Sequence, residues 1–318
     1  MINVDQLTFV GHDLHRPECA LATANGSLHV ADWRGGVTVL ALDGTATTIL
    51  ANGDFKPKPN GIAILDGGGW LLAHLGDDDG GVYRLDPDGT VTPFLVEVGG
   101  QPLPPTNYVH LDGQGRTWVT VSTRRRPRDL GYRADCDDGF IVLVDDNGAR
   151  IVADGLGYTN ECLIHPETGQ LYVNETFGRR LTRFDVGTDG ALSNKTTIAA
   201  FGSGDFPDGL TFDADGGIWI TSIVSNRVIR VTPDGGRELI LEDSDTDHVA
   251  WAEEAYQANK LGRPHLDKAA GRRLKNISSL AFGGEDLKTV YLGCLLGGEI
   301  ATFRTEQAGL PPYHWHTA

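Results

Sequence analysis

The 318-residue sequence lacks any run of about 20 apolar residues, which is the length that a membrane-spanning helix needs. Residues 1–10 contain neither a basic segment nor a long apolar segment, so no signal peptide is expected. The four cysteines, at positions 19, 136, 162 and 294, form no CxxC pair, which is typical of reduced thiols in a cytoplasmic protein. We therefore expect a cytoplasmic protein without a membrane partner.

Positive charge is also scarce. Lys and Arg number 27 against 43 Asp and Glu, for a formal net charge of −16. An acidic surface repels phosphate backbones, which excludes nucleic acid as an expected partner and argues against docking on anionic lipid. The sequence has no GxSxG, HExxH or P-loop motif, and no GxGxxG follows a strand and opens a helix. These absences leave a small-molecule substrate as the expected partner.

Glycine is abundant, with 42 residues, and it marks the turns of a repeat. A unit of three short strands joined by glycine-containing turns occurs six times, at spacings of 42 to 70 residues. Within the units apolar residues alternate with a period of two, as in residues 217–221, which excludes helix. A repeat of about 40–50 residues with three or four strands is the signature of a β-propeller. The sequence therefore predicts an all-β fold, a six-bladed β-propeller forming one domain over residues 1–318.

The segment at about residues 246–275 interrupts the repeat before the last blade. It is rich in Ala, Glu, Gln and Lys, and Val249, Ala252 and Tyr256 share one helical face. We expect two short helices, separated at residues 262–264, with Thr246 or Asp247 as the first N-cap. This helical insertion is interpreted as an edge cover, a lid or an oligomer contact, and the sequence leaves a monomer or a small homo-oligomer open.

Propeller geometry predicts which residues meet. The first strand of each blade lines the central channel, and the second strand returns to the same face. The residues that start the first strands are Glu18, Asn60, Asn107, Asn160, Asp208 and Ser278 or Ser279. The returning ends are Asp32–Trp33, His74, Ser122–Thr123, Glu175–Thr176, Ser222 and Cys294. Two carboxylates facing each other repel unless a cation lies between them, and oxygen donors favour Ca²⁺, Mg²⁺ or Mn²⁺, with Zn²⁺ an alternative at a site with fewer ligands.

The pattern of copies, together with Glu18, Asn160, Pro-Asp-Gly-Leu at 207–210 and the segment 279–291, resembles the SMP-30/gluconolactonase family. The resemblance covers nearly the whole chain. It implies one divalent cation, with Ca²⁺ as the first choice, held by Glu18, Asn160 and Asp208. It also implies that Asn107 contacts the metal-bound water or the substrate, and that the reaction is metal-dependent hydrolysis of a lactone, a small cyclic ester. A lactone derived from a sugar acid is expected if Arg124 faces the pocket.

The sequence also departs from the family pattern around the implied ligands. Cys19 follows Glu18 where the family has Glu-Gly-Pro, and Pro105 stands where some members carry an arginine that holds sugar hydroxyls. Tyr108 and Glu161 follow the two asparagines in place of the usual Asp or Gly. These departures predict a substrate pocket different from that of gluconolactonases.

Two mechanisms stay open. The cation would polarise the lactone carbonyl, and water would attack with Asp208 as general base. Alternatively, Asp208 steers a metal-bound hydroxide. Two other functions also fit: a phosphotriesterase-type hydrolase using the same metal site, and a non-catalytic ligand-binding propeller with a structural metal.

Other residues are expected around the substrate, each with a plainer alternative. Arg124 is placed to bind a substrate carboxylate, or else belongs to a solvated basic loop. Trp33 would form an apolar wall, and His74 a polar contact or proton shuttle; blade packing and a satisfied strand end are their alternatives. Asn60 is assigned to substrate binding, and Glu175 is expected to orient Asn160.

Overall fold

The computed structural model describes residues 1–317 and arranges 24 of their strands as six four-stranded antiparallel sheets. The sheets follow one another in chain order, and in five of them the four strands are consecutive in sequence. Neighbouring sheets contact one another around the ring through their first or second strands. The six-bladed propeller predicted from the repeat is confirmed.

The blades are numbered in chain order. Blade 1 consists of Ala20–Ala22, Leu28–Asp32, Gly36–Leu40 and Ala46–Leu50. Blade 2 consists of Pro59–Ile64, Trp70–Leu75, Gly80–Leu85 and Val91–Leu95. Blade 3 consists of Thr106–Leu111, Thr117–Val121, Gly139–Asp145 and Gly148–Leu156. Blade 4 consists of Thr159–Ile164, Leu171–Glu175, Arg180–Val186 and Leu192–Ala200. Blade 5 consists of Phe206–Phe212, Ile218–Ile223, Arg227–Val231 and Arg237–Glu242.

Blade 6 is built from both ends of the chain. Ile277–Gly283, Thr289–Cys294 and Ile300–Arg304 supply three strands, and the N-terminal strand Thr8–Val10 supplies the fourth. Thr8 is opposite Thr302 in an antiparallel ladder. The pattern of the first ten residues predicts no strand, because a three-residue strand is too short to be recognised by itself.

The helical insertion has the predicted form. One α-helix spans Thr246–Gln257, and a second spans Arg263–Asp267 with Pro264 in its first turn. The predicted N-caps, Thr246 and Asp247, are wrong: Asp245 is the cap, and its side chain accepts hydrogen bonds from two backbone N–H groups of the first turn. None of the helices in residues 1–317 is both long and apolar enough to cross a membrane.

Shorter elements connect the blades. They are the hairpin Glu97–Val98 with Gln101–Pro102 and the 3-10 helices Val4–Gln6, Arg128–Gly131 and Tyr313–His316.

A repeated side-chain contact stabilises the hairpins of blades 3 and 5. The buried carboxylate of Asp213 accepts hydrogen bonds from Trp219 Nε1, at 2.7 Å, and from Arg230 Nε, at 2.6 Å. Asp112 accepts equivalent bonds from Trp118, at 2.8 Å, and Arg116. The Asp-to-Gly turns that punctuate the repeat therefore also fix the tryptophan on the following strand.

The central channel is closed at the face away from the strand-start residues. The first strands of all six blades line an axial cavity of about 60 Å³, and the C-terminal segment from Leu310 to His314 contributes to its wall. The helical insertion packs against the opposite face, where the first strands start.

Candidate metal and substrate site

Irregular strand pairing places the strand-start residues in β-bulges. The first and second strands pair as predicted, with Pro59 opposite His74 and Pro207 opposite Ser222. The register then shifts directly after these pairs, and blades 3, 4 and 6 show the same shift. The first residues within the five shifts are Asn60, Asn107, Asn160, Asp208 and Ser278. Because a bulge re-aims a side chain relative to the regular ladder, this repeated irregularity turns polar groups toward one mouth of the channel.

Three of these residues and Glu18, which precedes the first strand of blade 1, come together at a small cavity. Glu18, Asn107, Asn160 and Asp208 line a space of about 20 Å³, and each of them is between 2% and 7% exposed. Within the described residues 1–317, the lining of this cavity does not include Asn60 or Ser278. The three metal ligands that the family resemblance implies therefore lie beside Asn107.

The ligand candidates are held from behind by hydrogen bonds. Asn160 Nδ2 donates to Asp208 Oδ1 and, at 2.9 Å, to Thr176 Oγ1. Arg16 donates from Nε and Nη2 to Glu18 Oε2, at 3.0 and 2.7 Å. Thr176 thus takes the orienting role that was expected of Glu175.

Glu175 has other partners. It accepts hydrogen bonds from Gly157 N, Arg180 and Thr182, all outside the cavity lining. It therefore ties the end of its strand to the neighbouring loop and to the next strand.

Several oxygen atoms around the cavity remain without a donor. Among residues 1–317, no protein group donates to Glu18 Oε1, Asp208 Oδ2 or Asn160 Oδ1, and Asn107 Oδ1 is buried without a partner. Burial, followed by the negative charge of Glu18, raises the pKa of Asp208 well above its ordinary value. Hard oxygen donors with excess negative charge suit a divalent cation such as Ca²⁺, so these residues fit the metal that the resemblance implies.

Three arginines that were not predicted from the sequence line the same cavity: Arg16, Arg128 and Arg263. Arg16 is paired with Glu18 and lies 4.4 Å from the centre of the Trp33 ring. Arg263 is paired with Asp267 at 2.5 Å. Arg128 donates from Nε to Tyr158 Oη at 2.8 Å. The sequence offered one clue to each of them. Arg16 lies two residues before the ligand candidate Glu18, Arg128 belongs to the basic loop 124–128, and Arg263 lies at the break between the two helices.

The helical insertion covers this side of the site. Tyr256 donates a hydrogen bond from its hydroxyl to Phe177 O at 2.6 Å, and Glu253 forms a bidentate ion pair with Arg179 at 2.5 and 3.1 Å. Leu266, on the second helix, lines the cavity together with Tyr132. Because the cavity has room for about one water molecule, binding of a larger molecule requires these covering groups to move.

Other predicted residues lie away from the cavity. Arg124 forms a bidentate pair with Asp154, with both bonds at 2.8 Å, on the exposed rim. His74 Nδ1 accepts a bond from Lys58 N at 2.8 Å, and its ring packs against Tyr83. Trp33 is not part of the cavity lining and contacts the lining residue Arg16.

Asn60 is the remaining predicted substrate contact. It is buried at the level of the ligands, and its Oδ1 atom has no partner.

A further carboxyl group lies behind the ligands. Glu161 is buried in the wall of the axial cavity and accepts a hydrogen bond from Leu210 N at 3.1 Å. Burial and then the charge of Asp208 raise its pKa well above the ordinary value. Cys19 and Cys162 are free and buried, and burial raises the pKa of both thiols. Thiols held in their neutral form are poor nucleophiles, so these cysteines fit a packing role.

Comparison with known proteins identifies one family. The sequence pattern of the SMP-30/Gluconolactonase/LRE-like region matches residues 16–242. The chain is 26% identical over 241 residues to a 6-deoxy-6-sulfogluconolactonase of Pseudomonas putida, a match that covers 73% of this chain and 67% of the relative.

Solved structures share the fold. A gluconolactonase of Xanthomonas campestris superposes with a TM-score of 0.67 at 19% identity, covering 96% of this chain and 89% of that one. The calcium-binding protein regucalcin of Agrobacterium tumefaciens superposes with the same TM-score at 17% identity, covering 95% and 96%.

Proposed function

The chain belongs to the SMP-30/Gluconolactonase/LRE-like family, and from this membership and the site geometry we propose that it is a metal-dependent lactonase. The relatives named as gluconolactonases support an enzyme that hydrolyses a lactone ester bond. The observation that carries the proposal is the group of donor-free oxygens of Glu18, Asn160 and Asp208 around one cavity. A structural plug would not need the unpartnered amide of Asn107 beside them.

The residues divide the reaction between binding and proton transfer. A divalent cation, when bound by Glu18, Asn160 and Asp208, would supply Lewis-acid polarisation of the lactone carbonyl. Arg16 and Thr176 keep Glu18 and Asn160 in position through the hydrogen bonds described above.

Asp208 carries the proton in this proposal. Its Oδ2 atom has no protein donor, so this carboxylate can accept a proton from the attacking water. As the acyl C–O bond of the ring breaks, the same carboxyl returns the proton to the departing ring oxygen. Asn107, whose carbonyl oxygen is buried without a partner, orients the water or the substrate.

Ca²⁺ is the metal that we propose first. Carboxylate and amide oxygens are its preferred ligands, and a structural neighbour is described as a calcium-binding protein. Mg²⁺, Mn²⁺ and Zn²⁺ are the alternatives that a metal-exchange experiment separates.

The test is hydrolysis of γ- and δ-lactones, followed with a pH indicator. Chelated protein is compared with protein refilled with Ca²⁺, Mg²⁺, Mn²⁺ or Zn²⁺. Asp208→Asn is compared with Asp215→Asn, which removes the same charge from an exposed turn of the same blade. We expect activity that disappears on chelation, returns with one metal, survives in Asp215→Asn and falls by about 100-fold or more in Asp208→Asn.

Other outcomes would redirect the assignment. Turnover of phosphotriesters without turnover of any lactone would favour a phosphotriesterase using the same site. Tight metal binding without turnover of either class would favour a ligand-binding propeller with a structural ion.

A further inference from the structure

Arg128 is a half-buried cation without an anionic side chain in ion-pair contact. Among residues 1–317 it forms no ion pair, and its one hydrogen bond to the protein runs from Nε to the neutral hydroxyl of Tyr158. Its two terminal nitrogens therefore have no protein acceptor, although they belong to a residue that lines the site cavity. Holding a guanidinium partly out of water is costly unless an anion meets it.

The charges around the cavity explain which anion is missing. Arg16 is matched by Glu18, and Arg263 by Asp267. Arg128 and Asp208 remain, so the cavity is close to neutral without a metal. A divalent cation adds two positive charges that no further residue of the lining cancels. Even if Glu161 behind the site were ionised, the net charge of the metal-loaded site would stay positive.

We propose that Arg128 binds an anionic substituent of the substrate, so that the preferred substrate is a lactone carrying a carboxylate or a sulfonate. This inference rests on the proposed lactonase function and adds the charge class of its substrate. A planar guanidinium with both terminal nitrogens free can donate two parallel hydrogen bonds to such a group. The hydroxyls of Tyr132 and Tyr158 lie beside the guanidinium groups of Arg263 and Arg128 and add polar contacts at the same end of the cavity.

The competing interpretation makes Arg128 a counter-ion of the metal ligands. Arg128 lies close enough to Asp208 to lower that carboxyl's pKa against the larger effects of burial and Glu18. In that case removal of Arg128 would strengthen cation binding and would change the kcat/KM of all lactones by the same factor. Metal affinity, measured directly, separates this interpretation from substrate recognition.

The experiment compares kcat and KM for three lactones on the metal-loaded enzyme. D-glucono-δ-lactone is neutral, D-glucaro-1,4-lactone carries a carboxylate, and 6-deoxy-6-sulfoglucono-δ-lactone carries a sulfonate. The variants are Arg128→Met, which keeps the length and removes the charge, and Arg128→Lys, which keeps the charge and removes the paired donors. Arg133→Met is the matched control, because Arg133 is in the same loop and is paired with Asp135 at the surface.

We expect the wild-type enzyme to prefer one anionic lactone, mainly through KM. Loss of a charge-assisted hydrogen-bond pair predicts that Arg128→Met lowers the kcat/KM ratio of anionic to neutral substrate by about 10- to 100-fold. Arg128→Lys should recover part of this ratio, and Arg133→Met should leave it unchanged. Preference for the glucaro-lactone identifies a carboxylate, and preference for the sulfo-lactone a sulfonate.

Two results would overturn the inference while leaving the lactonase proposal intact. One is efficient turnover of the neutral lactone without preference for either anionic one. The other is an equal change for all three substrates in Arg128→Met together with tighter metal binding by calorimetry. Absence of turnover on every lactone with every metal would instead reject the lactonase proposal, and with it the substrate assignment.

Discussion

Replacing Asp208 with Asn should change the stability of the protein in opposite directions with and without metal. In the metal-free protein Asp208 is a buried carboxylate whose pKa is raised by burial and by Glu18. Asparagine keeps the shape and the acceptor for Asn160 and removes the charge. We therefore expect the metal-free variant to be more stable than the metal-free wild type by about 1–3 kcal/mol, the usual cost of an imperfectly matched buried polar group.

With metal the order should reverse. A cation at 100 times its Kd stabilises the folded state by about 2.7 kcal/mol, and the variant loses most of this linkage because it lacks one ligand. With an unfolding entropy of about 2.1 cal/mol/K per residue, 1 kcal/mol corresponds to roughly 1.5 °C in Tm for this chain. Chelator should therefore lower the Tm of the wild type by several degrees and change the Tm of Asp208→Asn little.

The assay is thermal unfolding followed by circular dichroism, in chelator and in millimolar Ca²⁺. Asp215→Asn is the control, because it removes an equal charge from an exposed turn and should follow the wild type in both conditions. Equal metal stabilisation of wild type and Asp208→Asn would refute the assignment of Asp208 as a ligand. A lower Tm of Asp208→Asn in chelator would refute the argument that its buried charge is unfavourable.

Two further predictions concern the scaffold. Burial lowers the pKa of His29 and His110 to about 4 and that of His314 to about 3, so the unfolded chain binds protons before the folded one does. As pH falls from 6.5 to 4 these histidines should therefore destabilise the folded protein, while the raised pKa values of Asp208 and Glu161 act in the opposite direction; urea unfolding should show a smaller loss of stability over this range in His314→Phe than in wild type, and equal losses would contradict the assignment. Asp213→Ala should cost about 3–5 kcal/mol in the same assay, because it leaves the buried partners of that carboxylate, Trp219 and Arg230, without an acceptor, and a cost below about 1 kcal/mol would show that water replaces it.

The repeat made the ring and its polar mouth predictable. Strand starts such as Asn160 and Asp208 recur at one position of each copy, so propeller geometry was sufficient to bring them together. Which of their oxygen atoms remain without a donor depends on the hydrogen bonds that these side chains form with their neighbours. The choice of Thr176 over Glu175 as the partner of Asn160 is one residue of strand register, which no periodic pattern specifies.

The residues beyond the ladder could not be placed from the sequence. Arg124 and Arg128 lie in one basic loop, and the pattern does not show that the first pairs with Asp154 while the second reaches the cavity. Arg263 reaches it from a helix that belongs to no repeat. Loops and insertions are positioned by tertiary contacts, whereas strands are positioned by their period, and this difference separates what was predicted from what was missed.

The strand Thr8–Val10 has a consequence for how the molecule forms. Its partner Ile300–Arg304 lies almost the full length of the chain away, so the last sheet cannot be completed during synthesis until nearly every residue has emerged. Closing so long a loop is entropically costly, and contacts of such sequence separation slow folding. Until that pairing occurs, Ile300–Arg304 presents an unpaired edge that a second molecule can occupy. Removal of residues 1–10 should therefore be felt first as aggregation during refolding, before any effect on the chemistry at the opposite end of the blades.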